Sequence, residues 1–346
     1  MMQYSSVQKY LFFLIPTIIS CQQSATISRP DISNMDIEVK IERFDQEMAA
    51  LQPKDILLKN TEWQQQYGYF YHDYMTEILE IGPPQDSLRV QQLLTQVLQK
   101  KDFKDLSASV TQRFPHLKKQ EKDLAKALKY LKYEFPEYET PRFISFVGGF
   151  SFQTPIGNDY VGIGLDMFLG ADSEFYPALV QSIPLYISRK FTPENIVPRV
   201  IETILREDIY PQTHGDVNTL SHMVYNGKIL YAMDYLLENV PDTDKIGYTE
   251  AQLKWARRYQ QDVWAWFVQE NLLYNTDYLR IQKYFTEAPF TPELGQNNES
   301  APKLGSYIGW MMVRKYMIKH PEMGLKELFA IENAQEILED SKFKGK

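Results

Sequence analysis

The chain has 346 residues, of which 37 are basic and 45 acidic, so its formal net charge is −8. An acidic chain argues against nucleic-acid binding, which needs a basic surface, and against broad electrostatic contact with anionic lipid. Aromatic residues make up 14% of the chain and there is a single cysteine, so the core has to be held by packing without an internal disulfide.

The N-terminus has the features of a bacterial export signal that ends in a lipoprotein cleavage site. Lys9 is the only charged residue before Ser20, and an apolar run over residues 10–19 leads to Cys21. This run is shorter than the roughly 20 apolar residues that a membrane-spanning helix needs. We therefore predict a signal peptide over residues 1–20, cleavage before Cys21 and acylation of its thiol, which puts the protein in the cell envelope. The alternative is cleavage elsewhere with Cys21 as a free thiol, but the preceding residues fit an A-x-A-like site poorly.

Two short segments connect this signal to the main domain. Residues 21–36 are polar and short of aromatic side chains, which predicts a flexible, lipidated tether. Residues 37–44 alternate between apolar and polar side chains, which predicts a short strand with Ile37, Val39 and Ile41 on one face.

A first helical block is predicted over residues 45–139. Residues 63–79 are aromatic-rich and end before a Gly-Pro-Pro stop, and residues 87–99 carry an amphipathic leucine stripe. Pro115 interrupts the helical pattern of residues 107–133, which therefore predicts one or two helices.

The pattern changes to a β element over residues 140–170. Residues 142–152 and 160–165 are apolar and rich in strand-forming side chains, and residues 154–159 between them have turn-forming types. We expect a β-hairpin or two strands of a small sheet.

A second helical block is predicted over residues 171–340. Thr192 and Pro193 have the residue types of an N-cap and a first helical position. Helices are predicted over residues 195–206, 221–238, 249–271, 306–318 and 324–338. The expected fold class is mostly α (α+β), with one mainly helical domain over residues 37–346 and a small β-sheet or hairpin between its halves.

Few residues offer themselves as metal ligands. The chain has five histidines, no H-E-x-x-H motif, and no thiol apart from the lipid-bearing Cys21. The remaining candidates lie close together in sequence, namely His214, Asp216 and His222 with Glu207 or Asp208. Isolated histidines in a polar loop are ordinarily solvated, so we predict no metal site here.

Other catalytic sets are weaker still. No nucleophile elbow, phosphate-binding loop or dinucleotide fingerprint is present. Asp166 and Asp172 could face a sugar as a glycosidase pair, but such pairs arise freely among 45 acids. Five aromatic side chains at helical spacing are expected to pack in the core rather than to line a groove: Tyr67, Tyr69, Phe70, Tyr71 and Tyr74.

Several short strings, in this order, resemble one protein family. They are residues 162–170 (GIGLDMFLG), 184–187 (PLYI), 225–231 (YNGKILY), 246–249 (IGYT), 289–291 (PFT) and 305–310 (GSYIGW). The set resembles the gliding motility-associated lipoprotein family GldB of the Bacteroidetes, and the similarity runs from the cleavage site to the C-terminus.

The resemblance also implies a fold. The family is distantly similar to zincin-like proteases, which place H-E-x-x-H on one helix and a glutamate on a later helix. The first helix would fall at residues 198–207, which contain no histidine, and the second near Asn226, which stands in the place of the glutamate. The resemblance therefore implies a multi-helical zincin-like domain whose metal ligands are absent, a pseudo-enzyme used for binding.

From this we expect a non-enzymatic lipoprotein required for gliding motility, with no catalytic residues, no metal ligands and no cofactor. Its expected partners are the membrane, through the anchor at Cys21, and other proteins of the gliding machinery, which the resemblance ties to type IX secretion. No acidic run follows Gln22 and Gln23, so a periplasm-facing anchor is expected. A zinc-dependent peptidase with non-standard ligands and a peptide- or glycan-binding lipoprotein are the alternatives.

Overall fold

The fold is predominantly helical and contains one small parallel sheet, as the fold-class prediction expects. A computed structural model describes residues 27–212, 218–295, 297 and 299–346. Three strands are present in this part of the chain: β1 (Ile41–Arg43), β2 (Arg142–Phe146) and β3 (Tyr160–Gly164). The first helical block holds α1 (Phe44–Ala50), α2 (Ile56–Asp73), α3 (Ser87–Gln99), α4 (Lys101–Arg113) and α5 (Lys118–Glu134). The second block holds α6 (Leu185–Ser188), α7 (Ile196–Ile204), α8 (Thr219–Leu236), α9 (Asp242–Ile246), α10 (Glu250–Arg258), α11 (Gln260–Gln269), α12 (Tyr278–Ile281), α13 (Leu304–Lys319), α14 (Leu325–Ala330) and α15 (Ala334–Ser341).

The sheet has the order β1-β2-β3 with both pairs parallel, so β2 and β3 are two strands of a small sheet, as the second of the two predicted alternatives has it, and not a hairpin. Residues 153–157 instead run antiparallel along the outer edge of β3, where Gly162 N–H donates to Pro155 O at 2.7 Å. This close approach depends on β3 glycines, since a Cβ on Gly164 would lie 2.3 Å from Phe152 O. The predicted turn therefore exists, but it joins β3 to this edge segment rather than to β2.

The helical predictions hold with local changes. Pro115 separates α4 from α5, as expected. The predicted helix over residues 249–271 is broken at Tyr259 into α10 and α11, and the one over residues 324–338 is two helices, α14 and α15. Thr249 begins α10 with a capping box, whereas the expected N-cap Thr192 accepts from the Asn195 side chain and caps no backbone N–H.

The aromatic side chains of α2 and of the π-helical turn that follows it, Tyr74–Ile78, form a core of their own against the sheet. The Phe44 ring lies at its centre and makes edge-on contacts with Tyr67, Phe70 and Tyr74, with ring centroids 4.9–5.2 Å apart. Four of the five aromatic residues predicted to be in the core are buried, and Tyr69 is exposed. Burial of these rings removes a large apolar area from water, which explains why α2 packs in this orientation.

The segment predicted to be a flexible tether is partly fixed to the domain. Arg29 donates to the backbone oxygens of Tyr235 at 2.8 Å and Asp234 at 2.6 Å, at the C-terminal end of α8. Ile27 and Ile32 pack against the main core. The helix end leaves carbonyl groups without helical partners, and the guanidinium fork of Arg29 satisfies two of them. Ile27, Arg29 and Ile32 therefore contact the domain, and a flexible tether over residues 21–36 stays a prediction.

Helix α8 is buried along most of its length, with α7 and α13 packed against it. A Cβ on Gly227 of α8 would lie 2.3 Å from Gly309 O of α13. The two helices therefore meet backbone to backbone, which fixes the position of the α8 side chains that face α7.

Candidate functional site

The two helices that the resemblance pairs do lie together. Helix α7 continues past Ile204 as one π-helical turn, Leu205–Ile209, which carries Arg206. Arg206 donates from Nε to Glu202 Oε1 at 3.0 Å and from Nη2 to Asn226 Oδ1 at 3.1 Å. The Asn226 amide is oriented by its own donation to His222 O at 2.9 Å, so its oxygen faces Arg206. Such π-helical turns are often found at functional sites.

This network lines one wall of a cavity of about 230 Å³. The other walls come from α8, α9, the segment before α13 and α13 itself. Leu230, Ile246 and Phe285 provide apolar surface. The polar and charged lining consists mainly of Glu202, Arg206, Asn226, Lys245, Glu287 and Lys303. We call this the charged cavity.

Glu202 is enclosed by positive charge. Arg199 and Arg206, three residues before and four residues after it, both form ion pairs with its carboxylate. Burial alone would raise the pKa of Glu202, but attraction to Arg199, Arg206 and Lys303 outweighs it and lowers the pKa to about 2. Each oxygen accepts a hydrogen bond from a guanidinium group, so this carboxylate is ionised and both of its oxygens already have a partner.

A second carboxylate, Glu287, is held between two lysines. Lys190 and Lys303 each form an ion pair with one of its oxygens, and Lys303 Nζ also donates to Ile246 O at 2.7 Å. Burial opposes ionisation, yet the two ammonium groups lower the pKa of Glu287 to about 2. Burial, with repulsion from Lys303, lowers the pKa of Lys190 to about 8. The Glu287 carboxylate is thus ionised and lies between two ammonium groups at the exposed edge of the cavity.

The residues around the cavity do not fit a metal ion. A catalytic zinc needs three protein ligands with free lone pairs and an open fourth position. The oxygens of Glu202 and Asn226 are instead taken by arginine donors. Within the described ranges, no group of three His, Cys, Asp or Glu side chains has the arrangement of a metal site.

Among the residues that the structure describes, the candidate metal ligands predicted from the sequence do not lie together. His222 lies with Nδ1 3.2 Å from Gln212 Nε2 and its ring 5.3 Å from Phe285, and burial lowers its pKa. Asp208 accepts from Tyr138 at 3.0 Å, and both it and Glu207 are exposed. His214 and Asp216 lie outside the described residues, as does Cys21.

Asp166, one of the two acids considered as a glycosidase pair, stabilises a turn of the backbone. Asp166 is fully buried and accepts from Phe150 N–H at 2.6 Å and Gly148 N–H at 3.3 Å. These bonds hold a turn in which Gly149 and Phe150 both have positive φ, 66° and 68°. Burial raises the pKa of Asp166 to about 6. Asp172 is exposed, so the two carboxyls do not face a shared buried cleft.

Sequence reasoning identified Asn226 but missed the charged partners. The spacing of Arg199, Glu202 and Arg206 is a usable local signal, because residues three and four apart share a helix face. Lys190 and Glu287 are 97 residues apart, and no local pattern links them.

These features describe a mostly helical α+β protein with a charged, arginine-closed cavity. None of the helices in the described residues is long and apolar enough to cross a bilayer. The family model described as gliding motility protein GldB matches residues 26–345, and the chain therefore belongs to the GldB family. Neither curated proteins nor solved structures provide a match to this chain. The family is one of gliding motility lipoproteins, which fits a location in the cell envelope.

Proposed function

We propose that this chain is a lipid-anchored, periplasm-facing lipoprotein that serves the gliding machinery through protein contacts rather than catalysis. Membership of the GldB family supports the link to motility. The apolar run before Cys21 and the small Ser20 support the anchor. Association with type IX secretion proteins is part of the same proposal.

One observation carries the non-catalytic part of the proposal. Where the resemblance expects zinc ligands, Glu202 is closed by two arginines and Asn226 by one of them. A metal-bound water needs the cation's charge to lower its pKa toward neutrality. A metal cation placed among these arginines would be repelled by their charges and would find no free ligand oxygen.

The zinc peptidase alternative depends on His222, the one described histidine of the ligand set considered above. His222→Phe removes the imidazole while keeping an aromatic ring against Phe285. The full chain, purified without chelators, is analysed for zinc by mass spectrometry, with His72→Phe as an exposed histidine control. We expect substoichiometric zinc that neither variant changes. One zinc per chain that is lost only with His222→Phe would overturn the proposal.

The link to motility is tested in cells. A strain lacking the gene should fail to spread on agar, and the wild-type chain and His222→Phe should restore spreading equally. Crosslinking in living cells with mass spectrometry should capture other envelope proteins of the machinery. Normal spreading of the deletion strain would instead favour a peptide- or glycan-binding lipoprotein unrelated to motility.

A further inference from the structure

The two carboxylates that line the charged cavity are surrounded by more positive than negative charge. Arg206 and Lys303 line the cavity with them, and Arg199 and Lys190, which are not lining residues, form further ion pairs with Glu202 and Glu287. Lys245 also lines the cavity, but its ammonium is neutralised by buried Asp234 at 2.8 Å. Cations gathered in a partly buried site attract anions much more strongly than exposed ones do, since the site is screened less by water.

We infer that the charged cavity binds one carboxylate group from a partner protein, either an acidic side chain or a free C-terminus. The assignment to a partner rests on the proposed function, whereas binding of the carboxylate rests on the cavity alone.

The backbone at Lys303 shows that this lysine is held in a costly conformation. Its φ is +50° and ψ is +38°, in the left-handed region that glycine and asparagine adopt more easily. A side chain kept at such a position is a pointer to function. Lys303 reaches from there to both Glu287 and the Ile246 carbonyl, at the rim where α9 meets the start of α13.

The size of the cavity restricts what can enter. At about 230 Å³ it is far larger than the roughly 30 Å³ share of a water molecule, and smaller than the ~300–1,000 Å³ of sites for drug-sized ligands. The apolar surface of Leu230, Ile246 and Phe285 suits the methylene groups of a short chain. One side chain or chain end therefore fits better than a whole cofactor.

The donor types favour a carboxylate. Guanidinium groups present parallel N–H donors that match the two oxygens of a carboxylate, and Arg199 and Arg206 each donate one N–H to a different oxygen of Glu202. The lysines contribute point charges without a fixed geometry. A third carboxylate would bring the charge of the cavity closer to neutrality.

The test is isothermal titration calorimetry on the full chain in detergent with three short peptides. The probes are acetyl-Ala-Ala-Glu-amide, acetyl-Ala-Ala-Ala with a free C-terminus, and acetyl-Ala-Ala-Gln-amide, which has no carboxylate. We expect one or both carboxylate peptides to bind and the Gln peptide not to bind. Binding by only one of the two identifies the source of the carboxylate. Absence of binding by both, or equal binding of the Gln peptide, would overturn the inference.

Two variants tie binding to the cavity. Asn226→Asp is isosteric and introduces a carboxylate beside Arg206. This carboxylate should neutralise part of the excess positive charge and so weaken peptide binding at least roughly tenfold. Lys303→Asn tolerates the left-handed backbone but removes one charge, and a loss of similar size is expected. Unchanged affinity in both variants, with unchanged thermal unfolding, would place the peptide elsewhere and overturn the inference.

The two proposals fail separately. Stoichiometric zinc held by His222 would sink the proposed function without affecting the peptide titrations. If the carboxylate peptides bind but cells with Asn226→Asp spread normally, the binding stands and its assignment to a motility partner is wrong. We expect reduced spreading.

Discussion

Helices α8 and α13 cross at two glycines, and replacing Gly309 with alanine tests that crossing. A Cβ at Gly309 would lie 1.7 Å from Met223 O and 2.4 Å from Met223 C, both backbone atoms of α8. Flexible side chains can move away from such a contact, but helix backbone cannot. The helices would have to separate by roughly 2 Å to restore ordinary van der Waals contact.

The expected effect is a clear loss of stability. Alanine in a helix interior gains about 0.5–1 kcal/mol over glycine. Overpacking of a well-packed core costs about 1–3 kcal/mol and sometimes more, and here the obstacle is backbone. We therefore expect Gly309→Ala to lower the free energy of unfolding by about 2 kcal/mol or more. The same displacement would shift Asn226 of α8 relative to Arg206 and disturb the charged cavity.

Urea unfolding followed by tryptophan fluorescence measures this change. Trp310, next to Gly309, is fully buried and donates to Asp234 Oδ2 at 2.8 Å, so it reports on the crossing. Gly149→Ala is the matched control, because Gly149 has open space around its missing Cβ but φ of +66°. Strain there should cost only about 1–2 kcal/mol. If Gly309→Ala unfolds at the same urea concentration as the wild type, α8 and α13 are not in close backbone contact at Gly309.

Three further predictions follow from other parts of the molecule. The pKa of buried Asp166 is raised from 3.8 to about 6, so its stabilising effect is complete below pH 3.8 and is lost as the pH rises through 6. Relative to Asp166→Asn, the wild type should lose about 2 kcal/mol of unfolding free energy between pH 4 and pH 7, measured by urea titration. Arg29→Met removes the two bonds to α8 carbonyls and should cost about 1–3 kcal/mol, whereas exposed Lys40→Met should change stability by less than about 0.5 kcal/mol. Cys21→Ala should move the protein out of the membrane fraction of lysed cells without lowering its unfolding midpoint.

Each of these has a result that contradicts it. A stability difference between wild type and Asp166→Asn that stays constant from pH 4 to pH 7 would mean that Asp166 does not titrate in that window. Equal stability of Arg29→Met and Lys40→Met would show that residues 27–36 are not held on α8. Firm membrane retention of Cys21→Ala would refute the lipid anchor.

The order of helices was predictable because helical periodicity is local. Apolar residues recurring every three or four positions define which face of a helix is buried, and proline or glycine punctuates its ends. Pro115 therefore divided α4 from α5 correctly. Strand pairing is not local, so the apolar, strand-forming side chains of residues 142–152 and 160–165 indicate strands without indicating that they run parallel. The edge segment over residues 153–157 reached β3 only because Gly162 and Gly164 leave room beside it.

The sequence by itself determined the helical character, the resemblance to the GldB family, and the prediction of a lipid-bearing Cys21. It also contained the Arg199, Glu202 and Arg206 spacing, since that relation lies within two helical turns. Only the tertiary structure decided that Lys190 and Lys303 converge on Glu287 beside this group. Such a cluster depends on where distant segments meet, and that is set by packing of α8 against α7 and α13 rather than by any local pattern.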